Sequence, residues 1–150
     1  MIRPRLGALL SQVPTPSLLL TLPALEANEA AMRGVLRATG VALRPHGKMH
    51  KSSSFARWLL RRGGAEMSGV CAQTLRECVV MVRDGGATDV LLTNLVVGPG
   101  PAATLASLAA DHPAATIGVL VDSQRNVVEL AAAATGRSAT LRALVEFDAG

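Results

Sequence analysis

The sequence predicts an α/β fold built on a parallel sheet, and two observations carry that expectation. Short apolar runs alternate with longer stretches of helical periodicity, the rhythm of repeated βαβ units. Gly, Pro or Ser stands beside nearly every changeover, as helix and turn boundaries require. Length narrows the architecture further, because 150 residues suit one domain whereas a complete (β/α)8 barrel takes about 250. The expected fold is a partial (β/α)8 TIM barrel with about five strands present, residues 1–150 forming one unit.

In chain order, residues 17–21 read as extended and lead into a helix from about Pro23. Proline takes the first helical position, Leu25, Met32, Val35 and Leu36 form the apolar side, and Gly40 ends the helix. Strands are expected at 41–43, 67–71, 89–93, 116–121 and 140–147, with helices at 53–62, 73–83, 101–110 and 123–134 between them. Ser52, Ser53 and Ser54 offer N-cap oxygens ahead of the amphipathic run 55–60. No helix follows the last strand, so an open arc is expected to leave apolar side chains and unpaired backbone at one edge, which invites association or poor solubility. No low-complexity linker divides the chain, and the βαβ units do not recur at a fixed sequence period.

Composition sets the chemical class. Hydrophobic residues are 49% of the chain, enough for a packed core, but Ala, Leu and Val dominate and the aromatics are only Phe55, Trp58 and Phe147. The net charge of +4 comes from basic residues concentrated at 44–51 and 57–62. That pattern suits an anion, whether a phosphorylated cofactor or a nucleic acid. Phe55 and Trp58 fall within a helical apolar pattern rather than on a stacking platform, so no nucleic-acid partner is expected. Cys71 and Cys78 form no CxxC pair, and neither a metal site nor a disulfide is indicated. Arg3 and Arg5 precede an apolar stretch, but Pro14 and Pro16 interrupt it and no small-residue cleavage site follows. No apolar run reaches the roughly 18 residues of a membrane span, and a soluble, cytoplasmic protein is expected.

Chemistry concentrates in Leu43-Arg44-Pro45-His46-Gly47-Lys48-Met49-His50-Lys51, where an apolar run ends in basic and imidazole groups. The cluster falls at the carboxyl end of an expected strand, where α/β folds place reactive groups. From local spacing alone, a solvated lysine in a basic loop is the commoner reading of Lys48. His46 and His50 flank it two residues away, so an extended segment would put all three on one face. Each histidine reads equally as a pocket residue or as a packed or capping one.

The segment from Arg44 to Lys51 resembles the motif of the fold-type III pyridoxal-phosphate enzymes related to D-threonine aldolase and eukaryotic-type D-serine dehydratase. Further matches follow in the same order: Thr15-Pro16 with Leu18-Leu19-Leu20, Leu25-Glu26-Ala27-Asn28, Gln73 with Glu77, Thr93-Asn94 with Val96-Val97-Gly98-Pro99, Val121-Asp122-Ser123, and Val145 to Gly150. Thr21 and Leu95 depart, standing where the family usually has aspartate and glutamate. The resemblance implies a barrel of the alanine racemase N-terminal type, with Lys48 carrying pyridoxal 5'-phosphate as an internal aldimine.

A Schiff-base lysine is expected to be prepared by burial and neighbouring cations, with Arg44 and Lys51 near in sequence. The reaction implied is retro-aldol cleavage of a D-β-hydroxy amino acid, or loss of its β-hydroxyl to give a keto acid and ammonia. Gln73 stands either near the cofactor ring or as a helix N-terminal side chain, while Asn94 and Ser123 read as a turn residue and an N-cap.

The family's phosphate loops, a tyrosine-bearing stretch and a C-terminal β-domain with divalent-metal ligands find no counterpart here, and the chain holds no tyrosine. The expectation is therefore the N-terminal portion of such an enzyme, without the C-terminal β-domain. The alternative is a non-catalytic, degenerate half-barrel that binds pyridoxal phosphate or dimerises to complete its sheet.

Overall fold

The computed structural model describes residues 5–150, so Arg3 lies outside the described residues. Strands β1 (Val70–Ala72), β2 (Asp89–Leu95), β3 (Thr116–Val121) and β4 (Arg142–Val145) form one parallel sheet in the order β1-β2-β3-β4. Helices α3 (Leu75–Arg83), α4 (Pro99–Asp111) and α5 (Gln124–Thr135) make the three crossovers, and α1 (Leu22–Thr39) and α2 (Ser53–Gly63) come before the sheet. Sequential parallel strands joined by helices are the expected arc of a (β/α)8 barrel.

The core lies between the sheet and the crossover helices. Val90 and Leu92 of β2 and Ile117 and Val119 of β3 are buried with Cys78 and Met81 of α3 and Leu105 and Leu108 of α4. The opposite face keeps Leu91 and Thr93 half-buried. A side chain at Gly118 would meet Leu91 Cδ1 at 3.1 Å and Leu144 Cδ1 at 3.4 Å, so its absence makes room for both on that concave face.

Helix starts follow from the side-chain oxygens available. Ser52 caps α2 by accepting the Phe55 N–H at 3.2 Å, Thr74 caps α3 through Glu77 N–H at 3.2 Å, and Ser123 caps α5 through Asn126 N–H at 3.4 Å. Gly40, at φ 67°, ends α1 in the left-handed conformation that glycine adopts freely. Pro23 falls one residue inside α1 rather than at its first position.

Three expectations require correction. The first is the strand at 41–43, which reduces to two isolated parallel bridges, Leu43 to Met67 and His46 to Cys71, so the sheet has four strands. Pro45 has no N–H to donate, and Gly69 opposite it runs at φ 147°, which interrupts the ladder. Pairing itself survives: Leu43 N–H donates to Glu66 O (2.8 Å), Ser68 N–H to Leu43 O (3.0 Å) and Cys71 N–H to Pro45 O (2.8 Å).

The second concerns α1, whose inward strip is Leu25, Glu29, Arg33 and Leu36 rather than Leu25, Met32, Val35 and Leu36. Met32 and Val35 are 46% and 59% exposed. The Glu29 carboxylate, 1% exposed, pairs with Arg33 at 2.7 Å and with Arg62 of α2 at 3.5 Å. A buried carboxylate persists only where cations compensate it. The third is extent: β1 starts at Val70 rather than 67, after the interruption at Gly69, and β4 covers Arg142–Val145 rather than 140–147.

The outer side of β4 is uncovered, as the open arc implies. Val145 is 83% exposed and lines, with Val121, Val127 and Val128, an apolar hollow of ≈ 520 Å³. No helix among the described residues is long and apolar enough to cross a membrane.

Gly69 lies hard against the Asp89 backbone. A Cβ there would sit 2.4 Å from the Asp89 carbonyl oxygen, on a backbone whose φ favours glycine. Gly69→Ala is expected to cost about 3 kcal/mol, combining backbone strain with overpacking. Denaturant unfolding of the two proteins checks this, and an unchanged midpoint would refute the close approach.

Candidate active site

The run that ends at Pro45 delivers His46 to the carboxyl end of the sheet, where a 3-10 turn, Gly47–Met49, begins. His46 N-caps that turn, its Nδ1 accepting the Lys48 N–H at 3.3 Å. Lys51, at φ 49°, closes the turn by donating its N–H to Gly47 O at 2.8 Å. Gly47 itself is buried, and a Cβ there would meet Met81 Cε at 2.8 Å and Cys71 O at 3.2 Å. The turn is seated directly on β1 and α3.

Lys48 emerges exposed from this turn, and its Nζ donates to Gln73 Oε1 at 3.1 Å. Gln73 occupies the loop after β1, two residues ahead of α3, and its N–H donates to Glu77 Oε2 at 2.8 Å. Glu77 therefore supports the loop that presents the amide to the lysine. His46 Nε2 lies 3.0 Å from Thr93 Oγ1, and the Thr93 hydroxyl donates to the Ala72 carbonyl at 3.0 Å. Residues from the ends of β1 and β2 thus converge on the turn that carries Lys48.

The structure brings together His46, Lys48 and Gln73 of the residues singled out in the sequence, and it removes His50. The turn breaks the period of two, and the His50 ring packs edge-on against Phe55 at 4.8 Å between centroids. Its Nδ1 accepts the Ser52 N–H at 3.1 Å, while Nε2 is buried without a partner among the described residues. Asn94 is not a turn residue but lies within β2, where the register shifts between Leu92 and Leu95, and its Oδ1 accepts the Leu95 N–H at 2.9 Å; Ser123 is an N-cap.

Burial of Lys48 is not found, and Arg44 does not stand free beside it. Arg44 Nη2 pairs with Asp89 Oδ2 at 2.8 Å, and Arg142 approaches the same carboxylate at 3.7 Å. Thr93 and Glu77 figure in the sequence only as matches to the family pattern, with no role attached, and the structure places them behind His46 and Gln73. Beyond that match, the signal for Thr93 is its place near the carboxyl end of a strand.

Electrostatics keep the imidazoles neutral. Burial lowers the His46 pKa, and the Lys48 charge adds to that effect against a smaller opposing pull from Glu77. Burial lowers His50 as well, partly offset by its bond to Ser52. Burial also favours the protonated thiols, raising Cys71 and pushing Cys78 up to about 12. Beside Gln73, a cleft of ≈ 280 Å³ is lined by Asn94, Leu95, Val96, Val97 and Pro101 among others.

These features define a class: an α/β partial barrel with a lysine-bearing turn at the carboxyl end of its parallel sheet. No protein-family model matches the chain. It is 40% identical over 140 residues to a 3-hydroxy-D-aspartate aldolase of Paracoccus denitrificans (strain Pd 1222), covering 93% of this chain and 35% of that protein. It is 38% identical over 144 residues to a D-threonine aldolase of Arthrobacter sp, covering 96% and 36%. The crystal structure of D-threonine aldolase from Filomicrobium marinum matches with a TM-score of 0.85 at 40% identity, over 94% of this chain and 36% of that one. The chain is homologous to an N-terminal part of these D-threonine and 3-hydroxy-D-aspartate aldolases, and spans little more than a third of its relatives' length.

The lowered imidazoles make stability depend on pH with a definite sign. Between the ordinary imidazole pKa of about 6.5 and the lower folded values, the unfolded chain binds more protons, so stability is full above that window and falls as pH drops through it. Thermal melts taken between about pH 7.5 and pH 5 should show a falling midpoint. The double variant His46→Asn, His50→Phe should flatten that slope, and a slope unchanged in it would assign the pH dependence elsewhere.

Proposed function

We propose that this chain is the cofactor-lysine part of a pyridoxal-phosphate-dependent lyase, with Lys48 as the amine that carries the cofactor. The observation that supports it best is the Lys48 amine at the carboxyl rim of the sheet, held by the neutral amide of Gln73, in a chain related to aldolases. The substrate class is the D-β-hydroxy amino acids, of the D-threonine or 3-hydroxy-D-aspartate kind, and the reaction is retro-aldol cleavage of the Cα–Cβ bond to an aldehyde and an amino acid. The relatives are aldolases, which favours cleavage over the β-elimination of a D-serine dehydratase.

The residues present fit the aldehyde end of the cofactor. Lys48 offers a primary amine on a turn whose Gly47 is buried against Met81 and Cys71. Bound there, pyridoxal phosphate supplies the electron sink for the carbanion left at Cα. Gln73 orients the amine through a neutral acceptor. His46 has both ring nitrogens engaged, so it contributes its ring face to the cofactor pocket rather than a free base. Free Cys71 and Cys78 suit the reducing cytoplasm. The uncovered β4 edge, with Val127, Val128 and Val145, suits a homodimer or a further segment of barrel. It also favours a second reading, in which the half-barrel holds the cofactor without turning substrate over.

Incubation with pyridoxal phosphate, borohydride reduction and peptide mapping tests the assignment. Selective label on Lys48, falling to background in Lys48→Ala, is the expected result. Label spread evenly over Lys48, Lys51 and the N-terminal amine would sink it. Glycine released from D-threonine by the labelled protein's unreduced counterpart would separate the lyase from the non-catalytic reading.

A further inference from the structure

We infer that Thr93 is a positioning residue for Lys48, acting through His46 to hold the turn on which the lysine stands. The inference rests on the proposed role of Lys48 for its functional meaning, but its geometry is independent of it. Lys48 N–H donates to His46 Nδ1 at 3.3 Å, which requires a lone pair on that nitrogen. The neutral ring must then carry its proton on Nε2, 3.0 Å from Thr93 Oγ1.

Thr93 is suited to receive that proton. A hydroxyl has one hydrogen, and that of Thr93 goes to the Ala72 carbonyl at 3.0 Å, a group that can only accept. The Thr93 oxygen is left as acceptor toward His46. A directed chain therefore runs from the backbone of β1, through a side chain of β2, through the imidazole, to the backbone N–H of Lys48. Each member sets the direction of the next, and the second ring nitrogen decides what the first can do.

No other described side chain makes a hydrogen bond to the His46 ring. The isolated bridge from His46 to Cys71 fixes its backbone on β1, so Thr93 orients only the ring. Loss of the Thr93 hydroxyl leaves Nε2–H without its acceptor and frees the ring to rotate or change tautomer. Either change removes the cap on the turn and lets the Lys48 amine wander from Gln73.

The test compares Thr93→Val with Thr93→Ser in the whole chain. Ring 15N shifts of His46 should report an unprotonated Nδ1 and a protonated Nε2 in the parent and in Thr93→Ser. In Thr93→Val they should move toward a tautomer mixture, and Lys48 amide exchange should quicken by about fivefold, the effect of losing one modest hydrogen bond. Capture of pyridoxal phosphate at Lys48 should slow by a similar factor in Thr93→Val and recover in Thr93→Ser. A parent ring protonated at Nδ1, or ring shifts and amide exchange unmoved in a folded Thr93→Val protein, would overturn the inference. A moved tautomer in a chain whose Lys48 takes no label would leave the Thr93–His46 relay standing and reject the lysine assignment alone.

Discussion

Three backbone hydrogen bonds between residues 43–45 and the strand beside them decide where Lys48 goes. Leu43 and Pro45 are paired with residues 66–71, so the segment runs parallel to β1 and stops level with its carboxyl end. Arg44, turned to the concave face, locks the segment to β2 through Asp89. Without that pairing the basic cluster would be the solvated loop that its composition suggests. With it, the next residues are forced into a tight turn over Cys71 and Met81, and the lysine emerges at the rim where loops of a parallel sheet gather.

Polar groups do the holding at both ends of the molecule, though by different means. Between α1 and α2 the device is ionic: Glu29 is buried between Arg33 and Arg62, and Arg62 also lies 5.0 Å over the Trp58 ring. At the rim the device is neutral. His46, Thr93 and the Ala72 carbonyl are joined by hydrogen bonds, and the Gln73 amide separately accepts from Lys48 Nζ, with no carboxylate in either contact. Glu77 supports Gln73 from behind through a backbone N–H. Chains of neutral groups fix direction in a half-buried site without the desolvation cost of charge.

The uncovered face of β4 fits the same picture. Its inner side packs on β3, and its apolar outer side is prepared for a neighbour. The relatives are nearly three times as long, and the match to the D-threonine aldolase structure runs through 94% of this chain.

Much of this was legible in the order of residues. The alternation of apolar runs and helical patterns located β2 and β3, because a parallel strand covered on both faces reads as a continuous apolar run, and Ser52, Ser123 and Gly40 mark helix ends by local chemistry. The Arg44 to Lys51 motif pointed to the rim before any geometry was known. Tertiary structure decided what periodicity does not encode. Pro45 breaks the ladder that its apolar neighbours suggest, since hydrogen bonding depends on N–H groups and not on hydropathy. Glu29 turns inward because Arg33 and Arg62 meet it there, one of them 33 residues away. His50 leaves Lys48 for Phe55, and Thr93 and Gln73 arrive from strand ends 21 residues or more apart in sequence from their partners. Local spacing determines which face a residue can take, and only the folded chain determines what stands opposite it.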